Sequence, residues 1–219
     1  MAARQELAYG KVAGAYDAFL TLTGFKRGLG KFLDRQDFPL PERAKILDAG
    51  CGTGLVALYL ARRFPIAEIY AADIDRNMLG EMAEIAKREG LRERLAIVES
   101  DLCQPERMRE VTNGREFSVP PGHFDLITVS GALEHVPLGE TLGKLHRLLK
   151  PGGLLLNIGL RKNPAGAVLG LMYHCRPYEI SELRRAFAAA EFTDIRVLRL
   201  KTEDFPTNLS RVAVSAKKP

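Results

Sequence analysis

From residue 45 onward the chain alternates short runs rich in Ile, Val and Leu with longer stretches of helical period. That alternation is the mark of a parallel sheet covered on both faces, because each crossover needs a helix and each strand is buried on two sides. The expected strands are Lys45 to Ala49, Glu68 to Asp73, Leu95 to Glu99, Phe124 to Ser130, Leu154 to Gly159, Ile195 to Lys201 and Leu209 to Ala216. A helix beginning near Gly54 places Leu55, Leu58, Tyr59 and Arg62 at helical spacing. Asp75 caps a second helix over Arg76 to Glu89, which Gly90 ends. A third, Leu138 to Leu149, stops at Pro151, and Gly152 and Gly153 permit a sharp reversal. A fourth runs from about Ser181 to Ala190. The link between the last two strands, around EDFPTNL, is too short for a helical crossover, so they pair antiparallel. The expected fold is α/β: a doubly wound, seven-stranded, mostly parallel sheet with its last strand antiparallel. Residues 1–44 read as one or two helices.

A net charge of +5 would draw nucleic acid or an anionic membrane if it were concentrated, but acids and bases are mixed along the chain. Only Lys26, Arg27, Lys31 and Arg35 crowd together, among Phe19, Leu20, Leu22, Phe25, Leu29 and Phe32. Such a helix either makes a weak contact with a membrane surface or packs, as an amphipathic helix, on its own domain. No apolar run approaches the ~20 residues that cross a bilayer. The opening MAARQELAYG lacks the apolar core of a signal peptide, so a cytoplasmic location is expected. Cys51, Cys103 and Cys175 are far apart, with no CxxC pair, and read as reduced thiols; no metal site is expected. The oligomeric state is left open between monomer and homodimer.

The strongest local signal is ILDAGCGTGL, in which an apolar strand ends in Asp48 and Gly50, Gly52 and Gly54 open a helix. Without a Cβ the backbone can turn tightly and approach a ligand, while the helix start presents free N–H groups. Asp73 ends the second strand, where its carboxylate can accept hydrogen bonds from both hydroxyls of a ribose. Asp101 follows the third strand. Like charges gathered at one sheet edge cost free energy unless a ligand or water satisfies them, so three acids in series point to a binding site.

LDAGCGTG, Asp73, Asp101 and LHRLLKPGGLLLNIG resemble the ordered motifs of class I S-adenosylmethionine-dependent methyltransferases of the quinone-biosynthesis, small-molecule type. The resemblance spans residues 45–216 and implies a Rossmann-like domain over 45–219, with S-adenosylmethionine as cofactor and S-adenosylhomocysteine as product. It also implies that Gly50 and Gly52 pack against the methionine portion, that Asp48 helps hold its amino group, and that Asp73 takes the ribose hydroxyls. Ile74 and Leu102 would sandwich the adenine, Asp101 would accept from its exocyclic amine, and the Ser130 backbone would face the methionine amino group. Cys51 lies in the same turn, where small-residue packing is its expected role.

The loop after the fourth strand, SGALEHVP, borders the point of methyl transfer in such a fold, which makes His135 the candidate base; a structural role is the other reading. Glu134 is open to the same choice, and His123 and His146 read as packing or surface residues. Amino-methylating DNA enzymes carry [DNS]PP[YFW] at this loop, and SGAL offers no aromatic ring to stack on a base, so nucleic acid is not an expected partner. The expected acceptor is a small, hydrophobic or aromatic molecule, quinone- or lipid-like. Residues 1–44, with YGKVAGAYDAFLTLTGF, resemble the lid segment of quinone and phospholipid methyltransferases, which places Tyr16 near the acceptor. Leu160 to Tyr178, with Arg161, Tyr173, His174 and Arg176, is a second selecting region. Gln104 to Gly122 reads as a flap or a disordered insertion. Two alternatives stand beside the enzyme: a regulatory or assembly subunit that binds the cofactor without turnover, and an RNA or protein methyltransferase.

Overall fold

A computed structural model describes residues 13–219. Helices α1 (Ala13–Leu22) and α2 (Phe25–Asp34) precede β1 (Lys45–Ala49). Then follow α3 (Leu55–Arg63), β2 (Glu68–Asp73), α4 (Arg76–Arg88), β3 (Leu95–Glu99), β4 (Arg107–Glu110), β5 (Glu116–Ser118) and β6 (Phe124–Ser130). The chain ends with α5 (Leu138–Leu148), β7 (Leu149–Leu160), α6 (Pro164–Met172), α7 (Ile180–Ala189), β8 (Thr193–Leu198), α8 (Thr207–Ser210) and β9 (Arg211–Lys217).

The strands form one sheet in the order β5-β4-β3-β2-β1-β6-β7-β9-β8. From β3 through β7 all neighbours are parallel, and β9 runs antiparallel between β7 and β8. The winding reverses between β1 and β6, so a crevice opens outside their carboxyl ends, where open α/β sheets take their ligands. Alternation along each strand assigns the two layers. Ile46, Ile97, Leu126 and Leu156 pack with residues of α2, α3 and α4, including Phe32, Leu60 and Met82. Leu47, Val98, Ile127 and Leu155 pack with Leu142 and Leu145 of α5 and Leu183 and Phe187 of α7.

The seven expected strands are present, and the sheet has two more. Gln104 to Gly122 is neither a flap nor a disordered insertion: β4 and β5 form a hairpin on the free edge of β3. Gly114, at φ 72, takes the turn, and the buried Met108 and Val119 anchor the hairpin. β7 begins at Leu149 rather than Leu154, because the KPGG segment continues as strand beside β6 through a register shift. β8 starts at Thr193 and ends by Leu198, and a short α8 occupies the link to β9. Leu160 to Tyr178 contains α6, capped by the Asn163 side chain, which accepts from the Gly166 amide at 2.8 Å.

α2 is part of the core. Leu29, Phe32 and Leu33 are each 1% exposed, and each such burial contributes roughly 1.5–3 kcal/mol. A Cβ on Gly28 would stand 2.4 Å from the Asp204 carbonyl oxygen, so the helix lies against the segment joining β8 and β9. Arg35 holds both oxygens of the fully buried Asp204 carboxylate, at 2.6 and 2.7 Å, fixing the same junction. The apolar face of α2 is therefore used within the domain, while Arg27 and Lys31 face outward. α1 keeps Phe19 and Leu22 exposed, at 51% and 87%. Tyr16 falls within α1, and its side chain lies outside the described residues. No described helix is long and apolar enough to cross a membrane.

Candidate active site

The turn after β1 is built by three glycines in the left-handed region, Gly50 at φ 71, Gly52 at φ 54 and Gly54 at φ 85. The amides of Gly50 and Cys51 both donate to the Ala72 carbonyl, at 2.8 and 2.9 Å, tying the turn to β2. A Cβ on Gly50 would meet the Ala132 Cβ at 2.4 Å, and one on Gly54 would meet Met82 at 2.6 Å. A Cβ on Gly52 would meet nothing within 4 Å, so the chain's approach to open space is widest there.

Asp48 lies beneath this turn, 1% exposed. One oxygen accepts from the Ala57 amide at 2.9 Å, capping α3 from the strand, and the other accepts from the Thr128 hydroxyl at 2.7 Å. Burial pushes its pKa up to about 7, and the neighbouring Asp73 charge adds to the rise that these two bonds oppose. Asp73 accepts from the Gly52 amide at 2.7 Å and the Asp75 amide at 3.0 Å. Burial raises its pKa as well. Asp75 caps α4 as expected, accepting from Asn77 and Met78.

Ile74 is 49% exposed beside Asp73, an apolar side chain left at the rim. Leu102 is half-buried at the end of β3, and Ala49, Gly50, Ala72, Ser100 and Leu102 line one crevice. The Asp101 carboxylate accepts from the Cys103 amide at 2.8 Å. Cys51 turns its sulfur inward, 3.7 Å from the Met82 sulfur, and burial raises its pKa, so the thiol packs rather than reacts. The fold thus brings Asp48, Gly50, Gly52, Asp73, Ile74, Asp101 and Leu102 to adjacent strand ends.

Ser130 ends β6 next to Gly131, whose φ is 68. The single turn Leu133–His135 follows. His135 is exposed, and partial desolvation lowers its pKa below the usual histidine value. Glu134 points the other way, accepting the Leu160 amide at the tip of β7, with Oε2 buried and unpartnered. Tyr173, Cys175 and Tyr178 come near this acid or near Arg211, whereas Arg176 is exposed and paired with Glu182. Arg161 and His174 are exposed too. His123 packs edge-on to Tyr70 and Phe124, and His146 to Phe192, away from the glycine turn.

Thr128 and Arg211 were not legible as site residues. Thr128 is one hydroxyl within an apolar strand, and only the pairing of β1 with β6 sets it against Asp48. Arg211 stands as a charge at the head of the apolar run of β9, a weak signal that a buried cation had to be accounted for.

The geometry suits an adenosyl group: a carboxylate where paired hydroxyls would sit, an exposed aliphatic side chain next to it, and bare main chain at Gly52. Comparison with known proteins agrees. The family model described as a methyltransferase domain matches residues 46–153. A demethylmenaquinone methyltransferase of Thermus thermophilus is 30% identical over 200 residues, covering 90% of this chain and 84% of that protein. A ubiquinone biosynthesis O-methyltransferase of Pseudomonas aeruginosa is 30% identical over 133 residues, 59% of this chain and 51% of that one. Among solved structures, geranyl diphosphate C-methyltransferase from Streptomyces coelicolor, with S-adenosylhomocysteine bound, superposes with a TM-score of 0.70 at 13% identity, over 88% of this chain and 76% of that one.

Proposed function

The chain belongs to the class I S-adenosylmethionine-dependent methyltransferases, and on that premise we propose that its acceptor is a small hydrophobic or aromatic molecule, quinone- or lipid-like. Bound S-adenosylmethionine supplies a methyl group on a sulfonium whose charge is lost on transfer, so the chain's task is alignment and exclusion of water. The single observation that carries the acceptor class is apolar side chains left in water on helices linked to one another. Phe19 and Leu22 of α1 and Val168, Leu171 and Met172 of α6 are exposed; α1 packs on α2, α2 on α8 and α8 on α6. The demethylmenaquinone and geranyl diphosphate methyltransferases, by their names, act on acceptors of that character.

Within this reading Asp73 holds the ribose hydroxyls, and Ile74, Leu102 and Asp101 take the adenine. Gly50, the Cys51 backbone, Gly52 and Ser130 lie along the methionine portion, with Asp48 acting from beneath the turn. Residues 1–44 cover the acceptor, α1 and Tyr16 being the parts nearest it, and 45–219 carry the cofactor. His135, its pKa lowered, is unprotonated near neutral pH and takes the proton of a hydroxyl acceptor.

The test is incubation of the chain with methyl-labelled S-adenosylmethionine and a fractionated metabolite extract. The expected result is label in a small product that partitions into organic solvent. Label recovered only in RNA or protein, or no transfer at all, contradicts the proposal.

A further inference from the structure

Arg211 opens β9 at the carboxyl edge of the sheet and is 8% exposed. Its Nε has no partner, and among the described residues no carboxylate forms an ion pair with it. An uncompensated buried cation is costly, since the hydration it loses must be replaced. The Phe25 ring, 5.4 Å from the guanidinium carbon, replaces only part of it. The other side of the group is telling. Nη1 lies 3.1 Å from where a Cβ on Gly131 would stand, directly after Ser130 at the tip of β6.

Leu160, the last residue of β7, is paired in register with Arg211 and donates its amide to Glu134. The second oxygen of that carboxylate, Glu134 Oε2, is also buried without a partner. Buried polar atoms in folded proteins are nearly all bonded, so a guanidinium and a carboxylate oxygen both left unmet at the paired ends of β7 and β9 mark where a ligand's polar groups belong. An anionic oxygen satisfies the guanidinium, and a hydroxyl or N–H satisfies the carboxylate oxygen.

We propose that Arg211 holds an ionised oxygen of the methyl acceptor, so that the substrate class is an acidic, oxygen-bearing aromatic molecule rather than a neutral lipid. The inference rests on the reading of this site as one for a small aromatic acceptor. The same charge would also suit the cofactor's own carboxylate, and the experiment separates the two.

The wild-type chain, Arg211→Met and Arg211→Lys are loaded with S-adenosylhomocysteine and titrated calorimetrically with 1-hydroxy-2-naphthoate and with its neutral amide. The wild type is expected to bind the anion at least tenfold more tightly than the amide. Arg211→Met abolishes that preference, and Arg211→Lys, which keeps the charge without the planar fork, retains part of it. Arg211→Met is expected to melt no lower than the wild type without ligand, because it removes an unpaired buried charge; should it fail to fold, Arg211→Lys carries the test. Equal binding of anion and amide by the wild type, an unchanged preference in the variants, or no binding of the anion overturns the proposal. So does a loss of affinity in Arg211→Met for S-adenosylhomocysteine but not for 5′-methylthioadenosine, which lacks the carboxylate, since that assigns Arg211 to the cofactor. Anion binding through Arg211 with no methylated product from any hydroxyarene overturns the acceptor reading and, with it, the assignment of the bound anion as a methyl acceptor, while Arg211 keeps its anion-binding role.

Discussion

The Asp73 carboxylate accepts the Gly52 amide at 2.7 Å, so the acid ending β2 and the middle glycine of the turn after β1 form one unit. The bond orients the carboxylate before any ligand arrives and holds the turn open. It also explains why an acid is tolerated there with a raised pKa, since two backbone donors stabilise the charge that burial penalises.

Two glycine substitutions separate folding from binding. Gly52→Ala places its Cβ in open space, so its cost to stability is about 1 kcal/mol, from the left-handed backbone alone. Affinity for S-adenosylhomocysteine, read by calorimetry, is expected to fall at least tenfold, because in the proposed site the methyl group stands where the cofactor would meet main chain. Gly50→Ala drives its Cβ into Ala132 and is expected to lower the melting temperature as well. Equal melting losses in the two variants would contradict this.

Asp48 makes the ligand-free protein sensitive to pH. Its folded pKa, about 7, lies above the unfolded value of 3.8, so the protonated carboxyl is favoured by folding. That stability is complete below about pH 4 and is lost as pH rises through 7, with an upper limit of about 4 kcal/mol. Melting temperature should therefore fall between pH 5 and pH 8, as calorimetry would record. Asp48→Asn, whose amide can still serve Ala57 and Thr128, should flatten the profile; an identical slope in the variant would refute the assignment.

The junction of α2 with the β8–β9 link rests on Arg35 and Asp204. Asp204→Ala is expected to cost about 3 kcal/mol, or a drop in melting temperature of roughly 5–10 °C. Arg35→Ala should cost at least as much at neutral pH, because it leaves the fully buried acid without its cation. A melting loss under 2 °C in both variants would show that the pair is dispensable.

Turnover should depend on His135 in a particular way. With a hydroxyl acceptor, His135→Asn is expected to lower kcat about 100-fold while leaving S-adenosylhomocysteine affinity unchanged. Because desolvation lowers the histidine pKa, the acid limb of the wild-type kcat profile should lie below the ordinary histidine range and vanish in the variant. An unaltered pH profile in His135→Asn would assign the residue a structural role.

Much of this architecture could be read from sequence where one signal dominated. β1, β2, β3 and β6 are apolar runs bounded by glycine or acid, and each was delimited to the residue. Asp75 and Gly90 bracketed α4 because capping and left-handed termination are local chemistry. The β4–β5 hairpin has a weak sequence signal because Met108 and Val119 are its buried large apolar anchors, while Val111 is exposed, Phe117 is only half-buried and most other residues of the stretch are polar or proline. α6 is apolar on all sides, so its sequence has no helical stripe to betray it. At the site, the three acids and the glycines were legible because their spacing is sequential. Thr128, Glu134 and Arg211 acquire their meaning only when β6, β7 and β9 are set side by side.

Binding of the adenosyl cofactor across the ends of β1 and β2 is tested most directly by calorimetric titration of the folded chain and of Asp73→Ala with S-adenosylhomocysteine. Saturable binding of one molecule per chain by the wild type is expected, with a loss of affinity of roughly 100-fold in the variant, whose fold is retained. Absence of saturation in the folded wild type, or unchanged affinity in Asp73→Ala, would contradict it.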